Sequence, residues 1–238
     1  MLSPEQLTGQ ATSHLISLQL QADGPAVQLQ AATAHALQAM SAAAAADGLQ
    51  LAVASAFRSY ERQALIWNGK WDGSRPLADG PTPEDEQQRL HAILRWSALP
   101  GSSRHHWGTD VDLYASNLLP EGCRLQLEPW EYHGDGHQAA LYHWLQQHAG
   151  RFGFFWPYDA DRGGVAVEPW HLSFAPDAAP ALAALTTDVV AAALKRQPLL
   201  GQALILSQLD ALLARYCHAV NPAPTDYALN PASAERQR

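Results

Sequence analysis

Apolar residues along this chain change period several times, and each change predicts an element. An alanine-rich stretch runs to Ala46, where Asp47 and Gly48 supply a stop, so a helix is expected there. Leu49, Leu51 and Val53 then alternate as a strand does, leaving Arg58 near its end and on the other parity. Tyr60, Ala64, Trp67 and Trp71 recur every three or four positions, which predicts a helix with an aromatic inner face. Ser59 can cap it, and Glu61 suits its first turn. After a Gly- and Pro-rich loop over 72–81, Thr82-Pro83-Glu84-Asp85-Glu86 predicts another helix start. Leu90, Ile93 and Leu94 form its buried stripe, and Leu99-Pro100-Gly101 ends it.

Strand periodicity returns twice. Val111 and Leu113 alternate with Asp110, Asp112 and Tyr114, and Trp170, Leu172 and Phe174 alternate with His171 and Ser173. Each strand therefore turns an apolar set inward and a polar set the other way. Between them Leu141, Trp144, Leu145 and His148 mark a helix ending near Gly150, and the Phe152 to Tyr158 aromatic run either lines a substrate pocket or, as expected here, fills core. Helices follow Phe174, the last with a stripe of Ile205, Leu209, Leu212, Leu213 and Tyr216. Residues 1–26, with a turn at Asp23-Gly24-Pro25, are expected to lie over the surface. Residues 219–238, with three prolines, are expected to form an extended or disordered tail behind a single domain over 1–218.

The polar faces of the two strands carry candidate chemistry. His105 and Asp112 can meet one cation if Gly108 lets the backbone turn between them, and His171 can complete three protein ligands, leaving a fourth position to water. That layout belongs to a catalytic rather than a closed structural zinc site. Glu168 stands three residues before His171, and Pro169 breaks any regular strand between them, so its carboxylate can sit beside a metal without binding it.

At these residues the chain resembles the zinc D-alanyl-D-alanine carboxypeptidases of the VanY and VanX type. Ser103-Arg104-His105-His106-Trp107-Gly108, then Asp112, is similar to their Ser-x-His-x-x-Gly and following Asp; Glu168-Pro169-Trp170-His171 is similar to their Glu-x-Trp-His. Arg58-Ser59-Tyr60 with Gln63 agrees with a third family segment, and together the matches run from residue 55 to residue 174. The resemblance implies one Zn²⁺ on His105, Asp112 and His171, Glu168 as catalytic base, and Arg58 as oxyanion-stabilising cation or carboxylate clamp. It further implies that Gln63 and Ser103 contact substrate, here a peptidoglycan-derived peptide cut at its terminal D-Ala-D-Ala bond. Asp110 departs from the small residue frequent there, and it either tunes the site or competes as a ligand. The implied fold is α+β, Hedgehog/DD-peptidase-like, with a small, mainly antiparallel sheet, packed helices and zinc in a central cleft. Rival readings are an L,D-carboxypeptidase or endopeptidase on cell-wall peptides, a non-catalytic zinc module, and a non-haem iron oxygenase using the same two His and one carboxylate. Glu168 and Arg58 favour hydrolysis.

Composition narrows the partners. With 238 residues, 47% hydrophobic, the chain is long enough for a substantial core, and a net charge of −8 argues against nucleic acid or anionic lipid as partner. Cys123 and Cys217 lack metal-ligand spacing and imply no disulfide framework. No signal-peptide pattern opens the sequence, so the expected location is cytoplasmic as encoded, with periplasm or cell wall reached only by another export route. Pro180, Thr186, Thr187 and Asp188 interrupt the longest apolar stretch, so no membrane span is expected. His133, His137, His143 and His148 form a second His-rich zone, best explained by exposed helix positions. Trp107 and Trp170 are expected to wall the site, with ordinary core packing as the alternative, and His106 to neighbour it.

Overall fold

The computed structural model describes residues 1–22 and 24–225; Asp23 of the expected turn and residues 226–238 of the expected tail lie outside them. A short helix, α1 (Pro4–Leu7), precedes a hairpin of β1 (Leu15–Gln19) and β2 (Ala26–Gln30). The alanine-rich helix α2 (Ala31–Ala46) leads into β3 (Leu51–Ser55) and α3 (Tyr60–Trp71). Then come α4 (Glu86–Leu94), a 3₁₀ turn (Arg104–Trp107) and β4 (Asp110–Ala115). Next are α5 (Pro129–Tyr132), α6 (Ala139–His148), β5 (Phe154–Phe155) and β6 (His171–Phe174). Four helices follow: α7 (Ala175–Ala184), α8 (Thr187–Arg196), α9 (Gln202–Ser207) and α10 (Leu209–Leu213).

The central sheet has four antiparallel strands in the order β3-β4-β6-β5. Its register sets Asp110 opposite Ser173 and Asp112 opposite His171. A bulge between Val53 and Ser55 brings Ser55 opposite Asp112 as well, so a polar row crosses three strands. Val111, Leu113, Leu172 and Phe174 turn the other way, into a core shared with Leu37 and Met40 of α2 and Leu141 and Leu145 of α6. A second core contains no strand residue: Trp67 and Trp71 of α3, Leu90, Ile93 and Leu94 of α4, and Val190, Ile205 and Leu209 of the last helices. The polar row is thus backed by the first core. The fold is α+β, as the mixed order of elements predicts.

Several local expectations need correction. Residues 15–30 are a hairpin rather than loose surface chain. Its Leu18 and Leu29 are buried, and Ile16, Leu18 and Leu20 alternate with Ser17 and Gln19, a short strand cue in an otherwise polar segment. The helix expected from Thr82 starts at Glu86, because Asp85 is the cap, its carboxylate accepting from Gln88 N at 2.8 Å. The helix expected to stop near Gly150 does so, α6 ending at His148, and a 3₁₀ turn over Ala149–Phe152 then closes at Gly153, where φ is 82°. Ser59 caps α3 as expected, accepting from Arg62 N at 3.2 Å. At the start of the expected tail, Asn221 is bonded to the carbonyls of Pro157 and Trp156. No single helix among the described residues is long and apolar enough to cross a membrane; α7 and α8 carry enough apolar residues together but meet at 79°.

The N-terminal segment braces the 3₁₀ turn from behind. Trp107 Nε1 donates to Leu7 O, Gln30 Nε2 to Trp107 O, and Gln30 N to Gly108 O. Gly108 closes that turn with φ 69°, and an added Cβ there would lie 2.3 Å from Leu15 Cδ2. Gly108→Ala is therefore expected to lower stability by about 2–4 kcal/mol, the sum of a left-handed penalty and an overlap. Gly122→Ala, at φ 75° with nothing within 4 Å, should show the backbone penalty alone, about 1–2 kcal/mol. Urea unfolding of both variants checks this, and equal losses would mean that the contact with Leu15 contributes nothing.

Candidate metal centre

Each residue of the cluster arrives from an element with its own reason to be there. The register puts Asp112 and His171 side by side on one face of the sheet, and the 3₁₀ turn folds His105 over them. His105 Nε2 lies 3.4 Å from Asp112 Oδ2, and His171 Nδ1 lies 3.2 Å from Asp112 Oδ1. One ligand atom from each residue falls within 4.8 Å of the others. Glu168 joins the edge of the group, its Oε2 3.1 Å from His171 Nδ1.

Both imidazoles are held by their outer nitrogens. His105 Nδ1 is 2.8 Å from Ala56 O, and a carbonyl only accepts, so Nδ1 carries the proton and Nε2 turns its lone pair inward. His171 Nε2 is 2.9 Å from Asp110 Oδ2. Asp110 in turn accepts from Arg104 Nε at 2.7 Å, Thr109 Oγ1 at 2.6 Å and Ser173 Oγ at 2.8 Å. All four hydrogen-bonding sites of that carboxylate are filled by the protein. Asp110 therefore stands behind His171, not among the candidate ligands, which resolves its departure from the resembling pattern. This is the carboxylate–histidine support that orients metal-binding imidazoles.

Electrostatics suit a cation at the centre of the group. Asp112 Oδ1 is buried without a hydrogen-bond partner, an oxygen that a cation would satisfy. Burial opposes charge on His171, yet the surrounding carboxylates of Asp110, Asp112 and Glu168 outweigh it and lift its pKa well above the usual histidine range. His105, away from that concentration, is pushed down by burial to about 4 and stays neutral. Burial raises Glu168 above the ordinary carboxylate value. For Asp110, burial would do the same, but Arg104 and His171 hold it well below that range. A neutral His105, an ionised Asp112 and a His171 whose proton a metal can displace make a fitting donor set.

The other expected residues are sorted by their contacts. Arg58 is half-buried beside the cluster, fixed by Nη2 to Ser55 Oγ at 2.8 Å and by Nη1 to Gln63 Oε1 at 2.9 Å. Gln63 is itself fully buried and its Nε2 donates to Ala98 O at 2.7 Å, so both ends of the amide are engaged and it acts on the cleft through Arg58. Ser103 is buried at the head of the 3₁₀ turn, where its carbonyl accepts from His106 N. His106 is no ligand: Nδ1 donates to Arg58 O and Nε2 accepts from Gly101 N. Trp107 does not wall the site but lies in the helical core beneath Arg104, whose guanidinium is 4.8 Å from the indole ring. Trp170 packs on Tyr132. The second His zone is dispersed, with His133 against Tyr142, His137 on Glu131, His143 on Gln147 and His148 against Trp144. Both cysteines are free, Cys123 exposed and Cys217 buried.

Some of the constellation was not foreseen. Arg104 gave no cue, because a buried arginine and an exposed one look alike in sequence. Tyr158 packs its ring edge-on against His171 at 4.9 Å, so the aromatic run divides between core at Phe154 and site wall at Tyr158. Ser173 had one usable cue, its shared parity with His171.

Comparisons with known proteins agree with this geometry. A D-alanyl-D-alanine carboxypeptidase of Enterococcus faecalis is 32% identical over 141 residues, 58% of this chain and 45% of that enzyme, so the match spans less than half of the relative's length. An uncharacterized protein of Haemophilus influenzae is 36% identical over 120 residues, 50% of this chain and 92% of its own. The solved structure of the LdcB LD-carboxypeptidase covers 68% of each chain at 25% identity with a TM-score of 0.50. The VanY D-alanyl-D-alanine carboxypeptidase family matches residues 26–177, a span that contains Arg58, His105, Asp112, Glu168 and His171. By that match the chain belongs to the VanY D-alanyl-D-alanine carboxypeptidase family.

Proposed function

We propose that this protein is a zinc-dependent carboxypeptidase that removes the C-terminal D-alanine from peptidoglycan stem peptides ending in D-Ala-D-Ala. The observation that carries the reading is the convergence of His105, Asp112 and His171 around an unsatisfied buried oxygen, with Glu168 in contact and Arg58 alongside. Two imidazole nitrogens and one carboxylate suit zinc with an open fourth position. When bound there, zinc lowers the pKa of a water to about 7 and polarises a peptide carbonyl.

The remaining work falls to side chains of this chain. Glu168 is raised by burial, which fits a group that takes a proton from the attacking water and returns it to the leaving amine nitrogen. Arg58 keeps a fixed, forked cation beside the carboxylates and is rigid because Ser55 and Gln63 hold both of its terminal nitrogens. Asp110 fixes the His171 ring through Nε2, leaving Nδ1 for the metal. Tyr158 closes one side of that ring. A second reading, an L,D-carboxypeptidase acting on tetrapeptides, is favoured by the likeness to LdcB.

Zinc-loaded protein should release free D-alanine from a stem pentapeptide ending in D-Ala-D-Ala. Release from tetrapeptides alone would replace this reading with the second one, and release from neither would remove both. Glu168→Ala should keep zinc while kcat falls by about 10²–10⁴, the usual weight of a general base; full activity in that variant would remove Glu168 from the chemistry. His171→Ala should lose zinc and activity together. Asp110→Asn should weaken zinc about 10–100-fold by releasing the His171 ring, as competition with a chromogenic chelator will report.

A further inference from the structure

The chain between Tyr158 and Glu168 has no helix or strand of its own, yet it joins two residues that touch His171. Glu168 N donates to Tyr158 O at 3.1 Å, which closes the loop at its base. Residues 159–163 are exposed. Within the loop, Gly163 N donates to Asp161 Oδ1 at 2.8 Å, and Arg162 Nη1 donates to Asp159 Oδ1 and Ala160 O. Such bonds tie the loop to itself and not to the scaffold, so the place of Glu168 depends on what grips the loop from outside.

That grip comes from Arg95, the C-terminal cap of α4. Its guanidinium forks onto Asp161, Nη1 to Oδ1 at 3.0 Å and Nη2 to Oδ2 at 2.6 Å, and Nη1 also donates to Gly164 O at 3.2 Å. Its own carbonyl accepts from Ala166 N at 2.9 Å. One residue thus holds the loop at three positions, the last of them two residues, about 7 Å of extended chain, before Glu168. From the C-terminal side Arg215 Nε donates to Gly163 O at 2.6 Å. The fork holds the Asp161 carboxyl down to about 2, so the pair is ionised at neutral pH. Both partners are partly exposed and contribute little to global stability; what a bidentate pair fixes is orientation.

The same short segment also serves the other side of the cleft. Ala98 O, three residues after Arg95, accepts from Gln63 Nε2 at 2.7 Å, and Gln63 Oε1 accepts from Arg58 Nη1 at 2.9 Å. Residues 95–98 therefore refer the loop of Glu168 and the guanidinium of Arg58 to one end of α4. We propose that Arg95 is a positioning residue for Glu168, anchoring the 159–167 loop so that the carboxylate is held against His171 at the edge of the metal cluster. This assignment rests on the carboxypeptidase reading of the site. An anchor of this kind acts on kcat, because displacing a reacting group by about 1 Å can cost up to about 10²-fold, and it leaves the metal alone, because Glu168 is not among the candidate ligands.

Arg95→Ala should lower kcat for D-alanine release about tenfold, with KM within about twofold and zinc affinity, read by competition with a chromogenic chelator, unchanged. Arg95→Lys keeps the charge but not the fork, so its kcat should fall between wild type and Arg95→Ala; it carries the same test should the alanine variant not fold. Arg162→Ala removes only bonds internal to the same loop and should leave kcat unchanged. An unchanged kcat in both Arg95 variants, with wild-type protein active, overturns the assignment alone. An equal loss in Arg162→Ala, or zinc affinity falling together with kcat, overturns it in favour of a general loosening of the domain. A wild type that releases nothing from pentapeptide or tetrapeptide overturns the carboxypeptidase reading and this assignment with it.

Discussion

The carboxylate of Asp110 ties together every element that the cleft depends on. It is fully buried and accepts from the 3₁₀ turn through Arg104, from β6 through His171 and Ser173, and from its own neighbour Thr109. Arg104 is only 4% exposed, stacked over Trp107 and bonded also to Ser173 Oγ at 2.6 Å. Taking such a pair out of water is expensive, and its net contribution to stability is small even when every lone pair is filled. What it secures is geometry. His105 follows Arg104 directly in the turn, and His171 is gripped at Nε2, so both candidate ligand histidines are referred to one fixed oxygen pair.

That arrangement follows from strand parity. Asp110 and Asp112 share one face of β4 because they are two residues apart, and the antiparallel register brings Ser173 and His171 against them in the same order. One residue of slip would turn all four toward the core of Leu37, Met40 and Leu141 and bring Val111, Leu113, Leu172 and Phe174 out. The hydrophobic set therefore enforces the polar set, and the site is a by-product of burying the opposite face correctly.

The same logic explains what could be read from sequence. Alternation at 110–114 and 170–174 and the cap at Ser59 are local patterns, and they mark the two central strands and the face that Asp112 and His171 share. The β1–β2 hairpin is harder to read because its alternation, Ile16, Leu18 and Leu20 and then Val27 and Leu29, is short and little of either strand is buried. The start of α4 at Glu86 lies a few residues beyond Thr82, since competing caps lie close together there. The surroundings of Gln63 and Trp107 are hidden in sequence for a different reason. Their neighbourhood in sequence marks the site, but their side chains point to Ala98 and to the helical core, which only tertiary packing decides. Arg104 shares that limitation.

Charge balance in the cleft links the proposed metal to the proposed substrate. Asp110, Asp112 and Glu168 supply three negative charges, while Arg104 and Arg58 supply two positive ones. In the protein alone the missing charge is a proton on His171, which is why its affinity for that proton is raised despite burial. A divalent cation in place of that proton would leave the group one charge positive. An acidic chain of net charge −8 then presents a cationic cleft, and does so only once the metal is in place. Affinity for an anionic peptide terminus is on this account coupled to metal binding, because the same cation that supplies the chemistry also reverses the sign of the local field.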